Sequence, residues 1–113
     1  MNDLKQQEPD IQIFYPLLIN SSSNAAILYG YLKTCCLDQH REEGHYVFNL
    51  KRFDVKWATG LSFGQQIDAE QQLDGADLIT ANRIPGDWVE YWVYPENEDR
   101  LRRFVYSKRA NWK

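Results

Sequence analysis

Residues 53–79 read FDVKWATGLSFGQQIDAEQQLDGADLI, and the fold depends on how this stretch divides. Its first part, residues 53–59, is predicted as a brief helix. Gly60 ends that helix, because glycine tolerates the left-handed conformation that closes helices, and Leu61 anchors the turn. The apolar side chains of the whole stretch are expected in the core: Phe53, Trp57, Leu61, Ile67, Leu73 and Leu78.

Ser62 opens the second part of the stretch. Ser62 and Gln65 have the spacing of a capping box, in which the serine hydroxyl accepts a hydrogen bond from the Gln65 amide. The glutamine side chain then bonds back to the Ser62 amide. The sequence therefore predicts a helix over residues 63–74 that Gly75 stops.

Upstream of these two helices the chain predicts a lead-in, a helix and a strand. Residues 11–19 are mostly apolar and predict an extended segment packed across the domain. Side-chain oxygens in residues 21–24 can cap a helix over about 25–38, where apolar residues recur at helical spacing. Residues 45–50 are β-branched, aromatic and alternating, which indicates a short strand.

Downstream, the clearest β signal is a hairpin. Its strands are predicted at residues 79–84 and 88–94, and Pro-Gly-Asp at 85–87 forms the turn. Asn97 is expected to cap a last helix, whose first turn is acidic and whose body is basic, as the helix dipole favours.

The order of elements is helix, strand, helix, turn, helix, hairpin, helix, and at residues 53–79 the chain resembles the winged helix-turn-helix family. The turn that carries the resemblance is Ala58-Thr59-Gly60-Leu61-Ser62. The lead-in and first helix, at residues 16–18 and 26–32, are similar to the openings of winged-helix domains in phage and plasmid replication proteins. Two departures stand out. Asp77 occupies a position where the family commonly has glycine, and Gln66 and Glu70 stand where it buries an aliphatic side chain.

The resemblance implies a single α+β winged-helix domain, with a three-helix core, a short strand, a hairpin wing and an extra C-terminal helix. A chain of 113 residues and 13.4 kDa has the size of one domain. Residues 1–10 are predicted as a flexible tail, residues 11–94 as the winged-helix domain, and residues 95–113 as a basic helix involved in dimerisation.

Charge is unevenly distributed along the chain. Thirteen Lys and Arg against 16 Asp and Glu give a net charge of −3, which excludes nucleic-acid binding by overall charge alone. Residues 61–79 contain four carboxylates and no Lys or Arg, whereas residues 95–113 carry six basic and three acidic groups. Any DNA contact must therefore rest on a local patch.

The resemblance also implies double-stranded DNA as the partner, with the second helix of the pair in the major groove and the wing and basic groups on phosphates. Carried over by position, the reading surface is Ser62, Gly64, Gln65, Gln66 and Ala69, and glutamine suits adenine. The expected DNA-binding residues are Lys51, Arg52, Lys56, Ser62, Gln65, Gln66, Arg83, Arg100, Arg102, Arg103, Lys108 and Arg109, with Lys113 as a further phosphate contact. The implied role is transcriptional regulation or accessory work in replication, in a phage, plasmid or other mobile element.

The surplus of aromatic side chains predicts a homodimer, because only one face of the second hairpin strand can point inward. The expected interface is Trp88, Trp92, Tyr94, Leu101, Phe104 and Val105. The alternative is that the terminal helix covers these aromatics within its own chain. A rival function is a winged-helix protein-interaction module whose acidic third helix binds a protein partner.

Catalysis, cofactors and metal ions are not expected. The chain has no Gly-rich phosphate loop and no nucleophile with an identifiable base. Cys35 and Cys36 with His40 and His45 match no zinc spacing, so buried thiols and solvated histidines are the preferred interpretation. The longest apolar run, residues 13–19, is far shorter than the roughly 20 residues that span a bilayer, and the polar start lacks a secretory signal. A cytoplasmic protein is therefore expected.

Overall fold

A computed structural model of the chain describes residues 11–37, 39 and 43–108 in full, and the backbone alone at 109–110. These residues form an α+β fold of five helices and one three-stranded antiparallel sheet. The elements in chain order are α1 (Tyr15–Asn20), α2 (Ser23–Cys36), β1 (Tyr46–Lys51), α3 (Arg52–Thr59), α4 (Phe63–Gly75), β2 (Ile79–Ile84), β3 (Trp88–Val93) and α5 (Glu98–Ala110). A single 3₁₀ turn, Pro95–Asn97, joins β3 to α5. The predicted tail at 1–10 lies outside the described residues.

The lead-in differs from the sequence prediction, because residues 15–20 form α1 rather than an extended segment. Pro16 lies in the first turn of this helix, where its missing N–H would have had no helical partner and its fixed φ favours helix. Pro16 and Leu17 are buried, so the apolar lead-in does pack across the domain, as a helix.

Local capping signals set the starts of α2 and α4. Ser22 accepts a hydrogen bond from the Ala25 amide and starts α2 two residues before the predicted position. Ser62 and Gln65 form the predicted capping box at α4, with N–O distances of 3.1 and 2.9 Å. Gly60 adopts φ 79° between α3 and α4, as predicted from its place in the turn.

The end of α4 is set by Asp77 rather than by Gly75. The helix continues through Gly75, and Asp77 takes the left-handed conformation with φ 61°. Aspartate tolerates this conformation better than most residues with a side chain. The position where the winged-helix pattern commonly has glycine therefore keeps a left-handed backbone here. The Asn97 side chain donates to the Asp77 carbonyl, which ties this turn to the start of α5.

The sheet has the order β1-β3-β2, so the last strand of the hairpin lies in the centre. In register, Val93 pairs with Tyr46 and Ile79 at one end, and Trp88 pairs with Lys51 and Ile84 at the other. Val89, Tyr91 and Val93 face the buried side, where α4 packs against both α2 and β2. The alternate set, Trp88, Glu90 and Trp92, therefore lies on the outer side of the sheet.

The core prediction was correct for Leu61, Leu73 and Leu78, all buried, and Ile67 is half-buried. It was wrong for Phe53 and Trp57, whose side chains are 66% and 72% exposed. Helix α3 has little more than two turns, and it packs inward through Arg52 and Val55 instead. Residues 53 and 57 lie on the opposite side of this helix because each residue advances about 100°.

Candidate nucleic-acid interface

The turn between α3 and α4 presents the exposed start of α4. Ser62, Gly64 and Gln65 are exposed, and the next exposed position on the helix is Asp68. The Gln65 carbonyl oxygen accepts from the Ser62 amide within the capping box, which holds the side chain against the helix start. Three members of the expected reading surface are thus accessible, and Ala69 is buried.

Gln66 and Arg52 correct the predicted interface, because both lie inside the protein. Gln66 is fully buried and Arg52 is 5% exposed, so neither can reach a base or a phosphate. The Arg52 guanidinium donates to both carboxylate oxygens of Glu70 at 3.0 Å and to the side-chain oxygen of Gln66, Oε1, at 3.2 Å. The side-chain amide nitrogen of Gln66, Nε2, donates in turn to the backbone carbonyls of Arg52 at 3.1 Å and Leu61 at 3.0 Å. The two polar departures from the winged-helix pattern therefore form one internal network with Arg52.

Tyr91 completes this network from the sheet, since its hydroxyl donates to Glu70. Burial of Arg52 opposes its charge, but the hydrogen bonds and charge of Glu70 outweigh burial and raise the pKa of Arg52. Burial, and then the Glu70 carboxylate, raise the pKa of Tyr91. Among the described residues, every buried side-chain nitrogen or oxygen has a hydrogen-bond partner. The network joins α3, α4 and β3 and fixes the angle at which α4 leaves the turn.

Three of the expected phosphate contacts are exposed: Lys51, Lys56 and Arg83. Lys51 ends β1, and its ammonium lies 5.6 Å from the centre of the Trp88 ring. The Arg52 backbone amide donates to the Asp87 carbonyl at 2.9 Å, which fixes the β2–β3 turn beside the start of α3. Arg83 lines a cavity of about 190 Å³ between α4 and β2, together with Glu70 and Asp74.

The basic residues of α5 form a separate group. Helix α5 begins beyond the Val93 end of the sheet, opposite the end that carries Lys51 and the β2–β3 turn. Arg100 lies 3.6 Å from Asp77, and Arg102 pairs with Asp99 while its guanidinium lies 5.2 Å from the Phe14 ring centre. Arg103 and Lys108 are exposed, and the Arg109 side chain and Lys113 lie outside the described residues. The structure does not bring this group together with Lys51 and Lys56.

The predicted dimer interface is corrected at two positions. Leu101 and Val105 are 6% and 3% exposed because α5 packs its apolar side onto its own chain, mainly against α1. Phe104 is half exposed, with the Lys108 ammonium 5.0 Å from its ring centre. The aromatics at and beside β3 are partly covered within the chain, and Arg100 of α5 lines a cavity together with Tyr94. His45 stacks on Trp92 at 5.0 Å, and the Tyr94 and Thr80 hydroxyls lie 2.8 Å apart.

Phe53 and Trp57 are the features that sequence reasoning missed. Their exposure places two large aromatic rings on the outer side of α3, with Lys56 between them in sequence. The sequence offers two faces for this short helix, Phe53 with Trp57 and Arg52 with Val55, and hydrophobicity alone favours burial of the first.

The thiols show no sign of a shared metal site with the histidines. Cys36 is buried, and burial raises the pKa of its thiol to about 12. Over the described part of the chain, which omits His40, no group of three His, Cys, Asp or Glu side chains could hold a metal ion.

No helix within the described residues has the length and hydrophobicity required to cross a membrane. Comparison with protein-family models, curated proteins and solved structures gives no match.

Proposed function

We propose that this protein is a winged-helix domain that binds double-stranded DNA with the start of α4 and the adjacent wing. The observation that carries the proposal is the arrangement of elements: α2, β1, α3, α4 and the β2–β3 hairpin follow one another, and the sheet has the order β1-β3-β2. In that arrangement α3 and α4 form the helix-turn-helix and β2–β3 the wing. A regulatory or replication-accessory role in a mobile element is part of the proposal on the resemblance alone.

Chemically, the interface offers few cations. Lys51, Lys56 and Arg83 are exposed near α4, whereas the helix itself carries no Lys or Arg and exposes Asp68 and Asp74. The exposed amide end of α4 adds the partial positive charge of a helix N-terminus. Phosphate contacts would therefore come from the residues around α4, and base contacts from Ser62 and Gln65 at its start. The expected complex is weak, with low sequence discrimination.

The salt dependence of duplex binding tests this proposal. Each phosphate contact contributes about −0.9 to the slope of log K against log salt concentration, so three cations predict a slope of about −3 between about 50 and 200 mM salt. Fluorescence anisotropy with a labelled mixed-sequence duplex measures it. Lys56→Ala should reduce the magnitude of the slope by about 1.

Lys108→Ala is the matched control, since Lys108 is an exposed lysine on α5. An unchanged slope in this variant supports contact at α4, and a reduced one would move the contact to α5. Absence of duplex binding at about 50 mM salt would reject duplex binding by this domain.

A protein-interaction module is the second candidate, favoured by the exposed carboxylates on α4. Asp68 and Asp74 lie on a helix that would have to approach phosphates if DNA were the ligand. Replacing both with asparagine removes this repulsion and should tighten duplex binding by about tenfold if α4 enters the groove. Unchanged duplex affinity in the Asp68→Asn, Asp74→Asn variant would favour a protein partner for α4, because a carboxylate surface suits a basic protein.

A further inference from the structure

Aromatic and basic side chains are exposed at the turn end of the sheet and on α3, which begins there. They are Trp88, Lys51, Phe53, Lys56 and Trp57, and we call them the aromatic strip. Trp88 and Lys51 are register partners at the wing end of the sheet, and Phe53 follows two residues after Lys51. The hydrogen bond from the Arg52 amide to the Asp87 carbonyl holds the wing turn next to the start of α3.

All five side chains of the aromatic strip are exposed. The side chain of Trp57 is 72% exposed, that of Phe53 66% and that of Trp88 39%, and both lysines are also exposed. Phe53 and Trp57 are neighbours at i and i+4, so their Cβ atoms lie about 5–6 Å apart on one side of the helix. Leaving two such rings in water forgoes roughly 1.5–3 kcal/mol of burial for each, which suggests that they have a partner.

The chemistry of the aromatic strip fits unpaired nucleic-acid bases. Every base has a π-face that stacks on an aromatic ring, and single-strand binders combine such rings with cations that hold the backbone. In the aromatic strip, Lys51 and Lys56 alternate in sequence with Phe53 and Trp57, and Lys51 also lies beside Trp88. Duplex DNA offers base edges in its grooves but no open faces, so rings at this surface can stack only where bases are unpaired.

A second copy of the chain fits this surface less well. A Phe or Trp side chain buries about 150–250 Å² when it is fully covered, so the exposed parts of Phe53 and Trp57 together supply roughly 300 Å². A stable interface needs about 800 Å² on each partner. The two lysines would also meet lysines across a two-fold axis at this helix, and like charges repel.

We propose that the aromatic strip binds the unpaired bases of single-stranded DNA, with Phe53, Trp57 and Trp88 stacking on bases and Lys51 and Lys56 contacting phosphates. The proposal rests on the proposed function in taking DNA as the partner, and it adds the strand state that this surface recognises. Asp54 and Asp87 are exposed beside the aromatic strip and offset its two lysines. Stacking should therefore supply most of the affinity, and its salt dependence should be shallow.

Titration with an oligothymidylate of about 12 nucleotides tests the proposal, with binding measured by anisotropy and by quenching of tryptophan fluorescence. Stacking on one ring is worth about 1–3 kcal/mol, so Trp57→Ala and Phe53→Ala should each weaken binding by about 5- to 150-fold. Phe53→Ala retains all tryptophans and separates affinity from the optical signal. Phe104→Ala is the matched control, because Phe104 is an exposed ring on α5 that also lies beside a lysine.

The outcomes separate this inference from the proposed function. Loss of oligothymidylate binding in the strip variants, with duplex binding retained, supports both. Duplex binding without oligothymidylate binding overturns only the single-strand proposal, and the reverse result overturns only the duplex proposal. Equal affinity of Phe53→Ala, Trp57→Ala and Phe104→Ala for the oligothymidylate would overturn the role of the aromatic strip. A dimer in sedimentation that Trp57→Ala converts to monomer would also overturn it, by assigning the surface to a second copy.

Discussion

Replacing Arg52 with methionine is expected to lower the free energy of unfolding by about 3–5 kcal/mol. The change removes the cation and leaves the Glu70 carboxylate, itself 6% exposed, with only the Tyr91 hydroxyl as a partner. Gln66 also loses the donor to its carbonyl oxygen, and an unsatisfied buried acceptor costs about 1–3 kcal/mol. Urea unfolding followed by circular dichroism measures the effect. Arg103→Met, at an exposed arginine, is the control and should change stability by less than about 0.5 kcal/mol.

A second variant separates the contribution of the ion pair to stability from the contribution of side-chain packing. Arg52→Met combined with Glu70→Leu removes both charges, and replacing a buried ion pair by apolar side chains is often close to neutral. The double variant should therefore be more stable than Arg52→Met alone, with a coupling energy of about 1–3 kcal/mol. If Arg52→Met cost less than about 1 kcal/mol, the Glu70 carboxylate would reach solvent without its partner, and the network would not fix α4.

Local signals in the sequence were sufficient for the starts and ends of several elements. The capping box at Ser62 and Gln65 acts over three residues, and the Gly60 turn depends on one backbone conformation. The hairpin was equally local, because Gly86 and Asp87 take positive φ values of 87° and 62° in its turn. These features need no knowledge of the rest of the chain, so they can be identified from sequence alone.

The inward side of α3 could not be identified in this way. Its apolar rings, Phe53 and Trp57, define one face, and Arg52 with Val55 defines another. Hydrophobicity favours the first face, but the second is buried because Glu70 and Gln66 supply partners for the Arg52 guanidinium from a helix 14 to 18 residues away. The partners become visible only when α4 is placed against α3. Because Arg52 pairs with Glu70 and Gln66 inside the protein, Arg52 and Gln66 cannot belong to the candidate interface, and Phe53 and Trp57 lie on the exposed side of α3.

Raising the pH above about 10 is expected to unfold the protein, because three buried acidic groups must stay protonated in the fold. Burial, and then the hydrogen bond and charge of Glu98, raise the pKa of Tyr29. Burial and the Glu70 carboxylate raise that of Tyr91, and burial raises the pKa of Cys36 to about 12. In the unfolded chain these groups ionise near their ordinary values, about 10 for tyrosine and 8.5 for cysteine.

The direction of this pH dependence follows from the number of protons that the folded and the unfolded states bind. Above the unfolded pKa values the unfolded state binds fewer protons than the folded state, so stability falls as pH rises. Below about pH 8.5 the contribution is complete, and above it each group in turn removes about 1.4 kcal/mol per pH unit until its folded pKa is reached. At pH 11 the two tyrosines and the thiol together remove roughly 6 kcal/mol, which is comparable to the total stability of a small domain.

Tyr29→Phe tests the mechanism with least damage, because Lys33 remains 2.6 Å from Glu98 after the hydroxyl is removed. This variant should lose about 1 kcal/mol of stability at pH 8, and its further loss between pH 10 and 11 should be smaller than that of the unchanged protein by about 1 kcal/mol. Tyr15→Phe, at a half-exposed tyrosine, is the control and should have the same stability as the unchanged protein at pH 8, 10 and 11. Urea midpoints measured at pH 8, 10 and 11 give the slopes. A stability that stays level across this range would show that Tyr29 and Tyr91 ionise within the fold, and hence that the hydroxyl contacts to Glu98 and Glu70 open without unfolding the core.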